Sequence, residues 1–228
     1  MIAIMGAMPE EIEPILAFLQ EYRSYDIAGN VYYQGRYKGS EVVVAYSKIG
    51  KVYASLTASV MIQHFKAKKL LFSGVAGAID PSLKIGDLIA ATKLCQHDLD
   101  ITAFGHPYGY VPEGKVYVEA DRELLLLAHS VAKEKGIELK EGIIATGDQF
   151  IADPKKKEWI GKTFKASALE MEGAAVAVVC DAFDVPFFVL RSISDAADMD
   201  AGFDFDKFLE SSSKVSADFI QKMLDRLV

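Results

Sequence analysis

The sequence predicts an α/β fold built on a mixed central sheet, and three observations carry that reading. Short apolar runs alternate with longer stretches of helical periodicity along the whole chain, the pattern of strands covered by helices. A Lys38-Gly39-Ser40 turn between two β-rich runs adds a hairpin, and with it an antiparallel element. No linker, repeat or low-complexity segment interrupts the 228 residues, so residues 1–228 are expected to form one domain.

Ile2–Met5 reads as the first strand. A helix follows from Pro9, where proline suits the first turn because its missing N–H is not needed there, with Ile12, Leu16 and Leu19 on one face. Pro14 should kink or interrupt that helix. Val31–Tyr37 and Glu41–Tyr46 form the hairpin, Val52–Phe65 a helix, and Lys69–Ser73 a buried strand. Asp87–Ala91 reads as a strand that extends toward Gln96, and Arg122–Lys135 as a helix closed by Gly136. Gly142–Thr146, Ala166–Leu169 and Phe187–Ser192 are the remaining strands, with a helix at Gly173–Phe183 between the last two. The stretch Phe205–Leu227 places Phe208, Val215, Phe219, Met223 and Leu227 near one helical face, which should cover the core.

Composition excludes several classes of function. With 51% hydrophobic residues the chain can bury about 70% of its unfolded surface, so it is no disordered segment. Twenty-five Lys and Arg against 32 Asp and Glu leave a net charge of −7, the wrong sign for a nucleic-acid partner. Cys95 and Cys180 form no CxxC pair and have no His at ligand spacing, so neither a disulfide framework nor a zinc site is expected. The apolar start Met1–Met8 lacks a basic flank and runs into Pro9-Glu10-Glu11, unlike a signal peptide. No apolar run approaches the ~20 residues of a membrane span, and a cytoplasmic location with no membrane partner is expected.

Ligands of open α/β sheets bind beyond the carboxyl ends of the strands. The residues that follow the strands here are Gly6–Glu11, Ser73–Gly77 (with Val75, Ala76 and Gly77), Thr146–Phe150, Glu170–Gly173 and Arg191–Asp195. Taken singly, such glycines make turns and such carboxylates cap helices. Taken together, Glu11, Glu172 and Asp195 can divide the work of base, binding group and acid, since neighbouring carboxyls in different environments titrate far apart. That division suits hydrolysis or group transfer at an anomeric carbon, where an oxocarbenium-like transition state needs a positioned water and an acid for the leaving group.

These motifs carry a resemblance. Gly6-Ala7-Met8-x-Glu10-Glu11, Ile49-Gly50-Lys51-Val52, Gly147-Asp148-x-Phe150, Glu170-Met171-Glu172 and Ser194-Asp195 closely resemble, in order, the 5′-methylthioadenosine/S-adenosylhomocysteine nucleosidase family. The resemblance implies a three-layer αβα sandwich, nucleoside phosphorylase/hydrolase-like, that cleaves the adenine–ribose bond with water and without metal or organic cofactor. It implies Glu11 as general base and Asp195 as the acid that holds purine N7 and N6, with Ser194 orienting it. Glu170, Met171 and Glu172 are then substrate-binding, with Glu172 the acceptor for the ribose hydroxyls and Met171 packed on the sugar, while Phe150 stacks on adenine and the Ile151 backbone meets the purine edge. Ile49 and Phe205 match the pocket for the 5′-substituent, and Arg191 orients water or carboxylates. The aromatic loop from Phe104 to Pro112 corresponds to one that reaches into a partner subunit's pocket, so Phe104 and Pro112 are expected to complete the site of a homodimer.

Two departures stand out. Val75 and His106 occupy positions where serine and tyrosine are common in the family, and valine offers no hydroxyl to a phosphate. The form Ser73-Gly74-Val75-Ala76-Gly77, with Tyr46–Lys51 and Gly147–Phe150, is similar to a branch that also hydrolyses 6-amino-6-deoxyfutalosine in menaquinone synthesis. Other patterns fail their own requirements. Gly50-Lys51 lacks the rest of a P-loop, Asp198-Met199-Asp200 begins a calcium loop whose twelfth position is Leu209, and His97-Asp98 near Asp100 supplies too few converging groups for a metal. The alternatives left open are a purine nucleoside phosphorylase and a non-catalytic adenosine-binding module.

Overall fold

The computed structural model describes residues 1–197 and 201–228, apart from the side chain of Phe203. The segment Asp198-Met199-Asp200, read above as an incomplete calcium loop, lies outside the described residues.

The chain alternates strands and helices as the periodicity predicts. The strands are β1 (Ile2–Gly6), β2 (Gln20–Ile27), β3 (Asn30–Tyr37), β4 (Ser40–Tyr46), β5 (Lys69–Ala78), β6 (Leu88–Gln96), β7 (Tyr117–Glu119), β8 (Leu139–Thr146), β9 (Ala166–Glu170) and β10 (Phe187–Asp195). The helices are α1 (Pro9–Leu16), α2 (Lys51–Gln63), α3 (Arg122–Lys135), α4 (Pro154–Phe164), α5 (Gly173–Ala182) and α6 (Ala201–Leu227). Every residue of β1 and β10 is buried, as expected of strands covered on both faces. One core cluster packs α2 and α5 on one face of the sheet, and a second packs α1, α3 and α6 on the other. The result is an αβα arrangement around a mixed sheet.

The sheet does not stay open. From β2 it runs through β3, β4, β1 and β5 to β10, β6, β8 and β9, and β9 pairs back onto β5. β1, β4, β5 and β10 run parallel to one another, as do β6, β8 and β9 among themselves, the two groups meet antiparallel at β10–β6 and β5–β9, and β3 joins β4 antiparallel. Gly77 of β5 pairs with both Asp195 of β10 and Leu169 of β9. The carboxyl ends of three strands therefore meet at one residue, and the strand ends singled out in the sequence gather at that junction rather than along the edge of an open sheet.

Several elements depart from the sequence reading. The hairpin is a three-stranded meander, because Gln20–Ile27 pairs antiparallel with β3. That strand is polar and largely exposed, as befits an edge strand guarded by charge, so it carries no apolar alternation. α4 is likewise charge-rich, although Asp153 caps it through the Lys155 amide and Pro154 opens it. Helix α1 continues through Pro14 but ends at Leu16, which leaves Leu19 outside it, and Ile12 and Ile15 are its buried pair. In α6 the covered face runs through Phe219, Ile220, Met223 and Leu224, whereas Val215 is 40% exposed. None of the helices among the described residues is long and apolar enough to cross a membrane.

Candidate active site

A cavity of about 270 Å³ opens at the junction. Its lining includes Glu11, Ile49, Val75, Ala76, Gly77, Phe150, Ile151, Glu170, Met171, Glu172, Ser194, Asp195 and Phe205, so residues from five separate motifs converge. Arg191 lies behind this wall. Phe104, which is 81% exposed, and Pro112 are not part of the lining in this chain.

Glu11 is fixed by the start of α1. It is the third residue of a helix whose first is Pro9, and at that position a glutamate can reach back to the amides that precede the helix. Its Oε2 accepts from Ala7 N at 2.5 Å and Met8 N at 3.1 Å, and its Oε1 accepts from Val75 N at 3.1 Å. The helix-cap reading and the catalytic reading thus describe one geometry. Burial raises the Glu11 pKa above the ordinary value, against the pull of Arg191 and the three amides. Gly74 on β5 makes the site possible, because a Cβ there would stand 2.7 Å from Glu11 Oε1 and 3.2 Å from Arg191 Nη1. Three residues on, a Cβ at Gly77 would stand 2.7 Å from Asp195 Oδ1.

Asp195 ends β10 and is buried. Ser194 Oγ donates to its Oδ2 at 2.9 Å and Ala197 N to its Oδ1 at 2.8 Å. Glu172, the residue before α5, accepts from Gly50 N at 2.8 Å. Burial and the neighbouring Glu170 carboxylate push its pKa up. Phe150 and Phe205 meet edge to face, with ring centroids 5.7 Å apart, and form the aromatic part of the lining.

Glu170 is at the wall, but both of its oxygens are engaged by the protein. Oε2 accepts from Arg191 Nη2 at 2.7 Å, Gly173 N at 2.7 Å and Glu172 N at 3.1 Å, and Oε1 accepts from Thr146 Oγ1 at 2.5 Å. Arg191 is fully buried, its guanidinium 4.0 Å from the Phe72 ring centroid. The side-chain exposures of the pair are 1% and 3%. Removing the cation would strand a buried carboxylate among two others, so Arg191→Met is expected to cost about 3–5 kcal/mol of folding stability, measured by urea unfolding. A loss under about 1 kcal/mol would show that the pair does not hold this wall.

Thr146 is the residue that sequence reasoning undervalued. Its hydroxyl joins Glu170 to the amide of Ala174, which donates to it at 2.8 Å, and so fixes the start of α5. The signal available was a hydroxyl residue at a strand end, directly before Gly147-Asp148. His97 is buried at the end of β6, its ring pressed against Gly147, and its ring nitrogens find no partner among the described residues. Burial lowers its pKa, which favours the neutral ring. No cluster of His, Cys, Asp or Glu suited to a metal occurs among the described residues.

The chain has full-length relatives. The profile of the phosphorylase superfamily matches residues 1–226. The chain is 57% identical to the aminodeoxyfutalosine nucleosidase of Campylobacter jejuni, with 99% of each chain covered. It is 38% identical to the 5′-methylthioadenosine/S-adenosylhomocysteine nucleosidase of Actinobacillus succinogenes, again over 99% of each. The native structure of the futalosine hydrolase of Helicobacter pylori strain 26695 superposes with a TM-score of 0.98 at 51% identity, covering 99% of this chain and 97% of that one. Ordered motifs, a closed mixed sheet and full-length relatives lead to one assignment: the chain belongs to the phosphorylase superfamily and, within it, to the 5′-methylthioadenosine/S-adenosylhomocysteine nucleosidase family.

Proposed function

We propose that this protein hydrolyses the N-glycosidic bond of 5′-substituted adenosine nucleosides and releases adenine, with water as the nucleophile. The observation that carries the reading is that two buried carboxyls, Glu11 and Asp195, open into one cavity with aromatic and apolar walls. The glycines against which they pack are three residues apart on β5, or about 10 Å at the rise of a strand.

In this mechanism Glu11, as a carboxylate, takes a proton from the water that attacks the anomeric carbon. Asp195, protonated and oriented by Ser194 and the Ala197 amide, gives a proton to N7 as the bond to adenine breaks. Glu172 accepts from the ribose hydroxyls and Met171 packs on the sugar. Phe150 stacks on the base, whose edge meets the Ile151 backbone, while Ile49 and Phe205 face the 5′-substituent. Glu170 and Arg191 act as positioning residues, because their polar atoms are engaged with one another and with the backbone. Among the described lining residues there are four carboxylates and no Lys or Arg, which supports water over phosphate as the nucleophile. A module that only bound adenosine would need stacking and ribose contacts but neither a buried base nor an acid.

The base must be ionised to act, and burial holds the Glu11 pKa above 4.5. Adenine release should therefore rise with pH through a window above that value, as protonated Glu11 is lost. A kcat/KM profile already flat at and below pH 4.5 would contradict the base assignment.

The substrate range follows from the relatives. One is named for aminodeoxyfutalosine and another for methylthioadenosine and adenosylhomocysteine, and we infer that this chain accepts all three. Comparing adenine release from 6-amino-6-deoxyfutalosine and 5′-methylthioadenosine tests this, and no release from the former would remove it from the range. A homodimer completes the reading. Phe104 projects from its loop, and Val52, Tyr53 and Leu56 of α2 are exposed apolar side chains suited to a partner. With Phe104 and Pro112 closing the other subunit's pocket, Phe104→Ala is expected to raise KM about tenfold with kcat little changed. An unchanged KM would place the loop away from the substrate.

A further inference from the structure

Two motifs that fail as a P-loop and as a metal site turn out to touch each other. Lys51 Nζ donates to Asp98 Oδ1 at 2.6 Å and to Gln96 Oε1 at 3.1 Å. The other oxygen of Asp98 accepts from the Asp148 amide at 2.8 Å. Asp148 in turn accepts from the Lys51 amide at 2.7 Å, which closes the ring of contacts. Gly50, the residue before Lys51, has φ +100°, a conformation that glycine adopts without strain, and its amide donates to Glu172. On the far side, Asp148 begins the Asp148-Gln149-Phe150-Ile151 segment, and the last three of these residues line the cavity.

We propose that Lys51 and Asp98 are positioning residues, which lock the Gly50 amide onto Glu172 and set the loop that carries Phe150 and Ile151 in the same act. The kinetic side of this claim rests on the nucleosidase reading; the structural side does not. The ion pair is shielded, with side-chain exposures of 17% and 13%, so it is screened less than a surface pair. Burial alone would raise the Asp98 carboxyl, yet the Lys51 ammonium and the Asp148 amide hold it below the ordinary carboxylate range. Both ends of the nucleoside site thereby depend on one contact: the purine side through Asp148 and the ribose side through Gly50. His97, next to Asp98, packs its ring on Gly147 and braces the same loop from below.

The test uses Asp98→Asn, Lys51→Met and the double variant, with Lys51→Arg as the conservative control. Each of the first two should raise KM for adenine release at least about tenfold and change kcat by less than about threefold. The double variant should be no worse than the more damaged single, since either change opens the same ring. Lys51→Arg should recover most of the loss. Unchanged KM in both singles, or effects that multiply in the double, overturn the proposal. Amide exchange supplies a readout independent of turnover. The Gly50 amide should exchange at least about tenfold faster in Asp98→Asn while amides within β6 and β8 keep their rates. Unchanged exchange at Gly50 overturns the positioning role whether or not the chain is a nucleosidase. Absence of adenine release by the unaltered protein overturns only the nucleosidase reading.

Discussion

Asp195→Asn is expected to lower adenine release by about 10²–10⁴-fold, the usual worth of a positioned acid, while weakening nucleoside binding far less. The substitution keeps the size of the side chain. Its amide oxygen still accepts from Ala197, and Ser194 can rotate its hydroxyl to accept where it now donates. What is lost is the ionisable proton at the one position able to deliver it to the purine. Adenine release and equilibrium binding of a non-hydrolysable nucleoside analogue, measured on the same preparation, separate the two effects. Hydrolysis at the unaltered rate would remove Asp195 from the acid role, and loss of binding equal to the loss of rate would make it a binding residue.

Glu11→Gln is expected to produce a loss of similar size, about 10²–10⁴-fold in kcat, for a different reason. The neutral amide cannot take a proton from water. Its NH₂ group would also face amides that now donate to Glu11, from Ala7 and Met8 on one oxygen and Val75 on the other. One donor against another is unfavourable in a buried site, so some stability should be lost as well, about 1–3 kcal/mol. Relief of a buried charge that desolvation already penalises works against that loss. The rate therefore discriminates better than stability does. A Glu11→Gln variant with the unaltered rate would require another base.

The places of Glu11 and Asp195 in the fold were legible from local rules, whereas the base and acid roles proposed for them came from the family resemblance. Pro9 sets the start of α1, and a glutamate at the third helical position reaches back to the amides before the helix. Asp195 follows an apolar run that reads as a buried strand and ends where ligands bind. The Arg191–Glu170 pair was only half legible, as an arginine expected to orient water or carboxylates with no particular carboxylate named. Its members are 21 residues apart, on strands joined by the crossover of α5. The Lys51–Asp98–Asp148 ring was not legible at all, since it joins residues 47 and 97 positions apart that only the closure of the fold brings together. Closure of the sheet escaped the sequence for the same reason. Each strand's pattern fits an open sheet, and the β5–β9 pairing rests on two residue pairs, Gly77–Leu169 and Ala78–Ala168. The polar edge strand Gln20–Ile27 and the lysine-rich α4 were missed because apolar periodicity cannot register an element that buries little.

Water as the nucleophile is the central claim, and adenine release with and without phosphate tests it most directly. Methylthioadenosine, adenosylhomocysteine, 5′-deoxyadenosine and aminodeoxyfutalosine are each incubated with the protein in phosphate-free buffer and again with added phosphate, and the sugar product is identified. Adenine and the free sugar should form at the same rate in both buffers. Release that depends on phosphate and yields a sugar 1-phosphate would contradict hydrolysis and make the protein a phosphorylase.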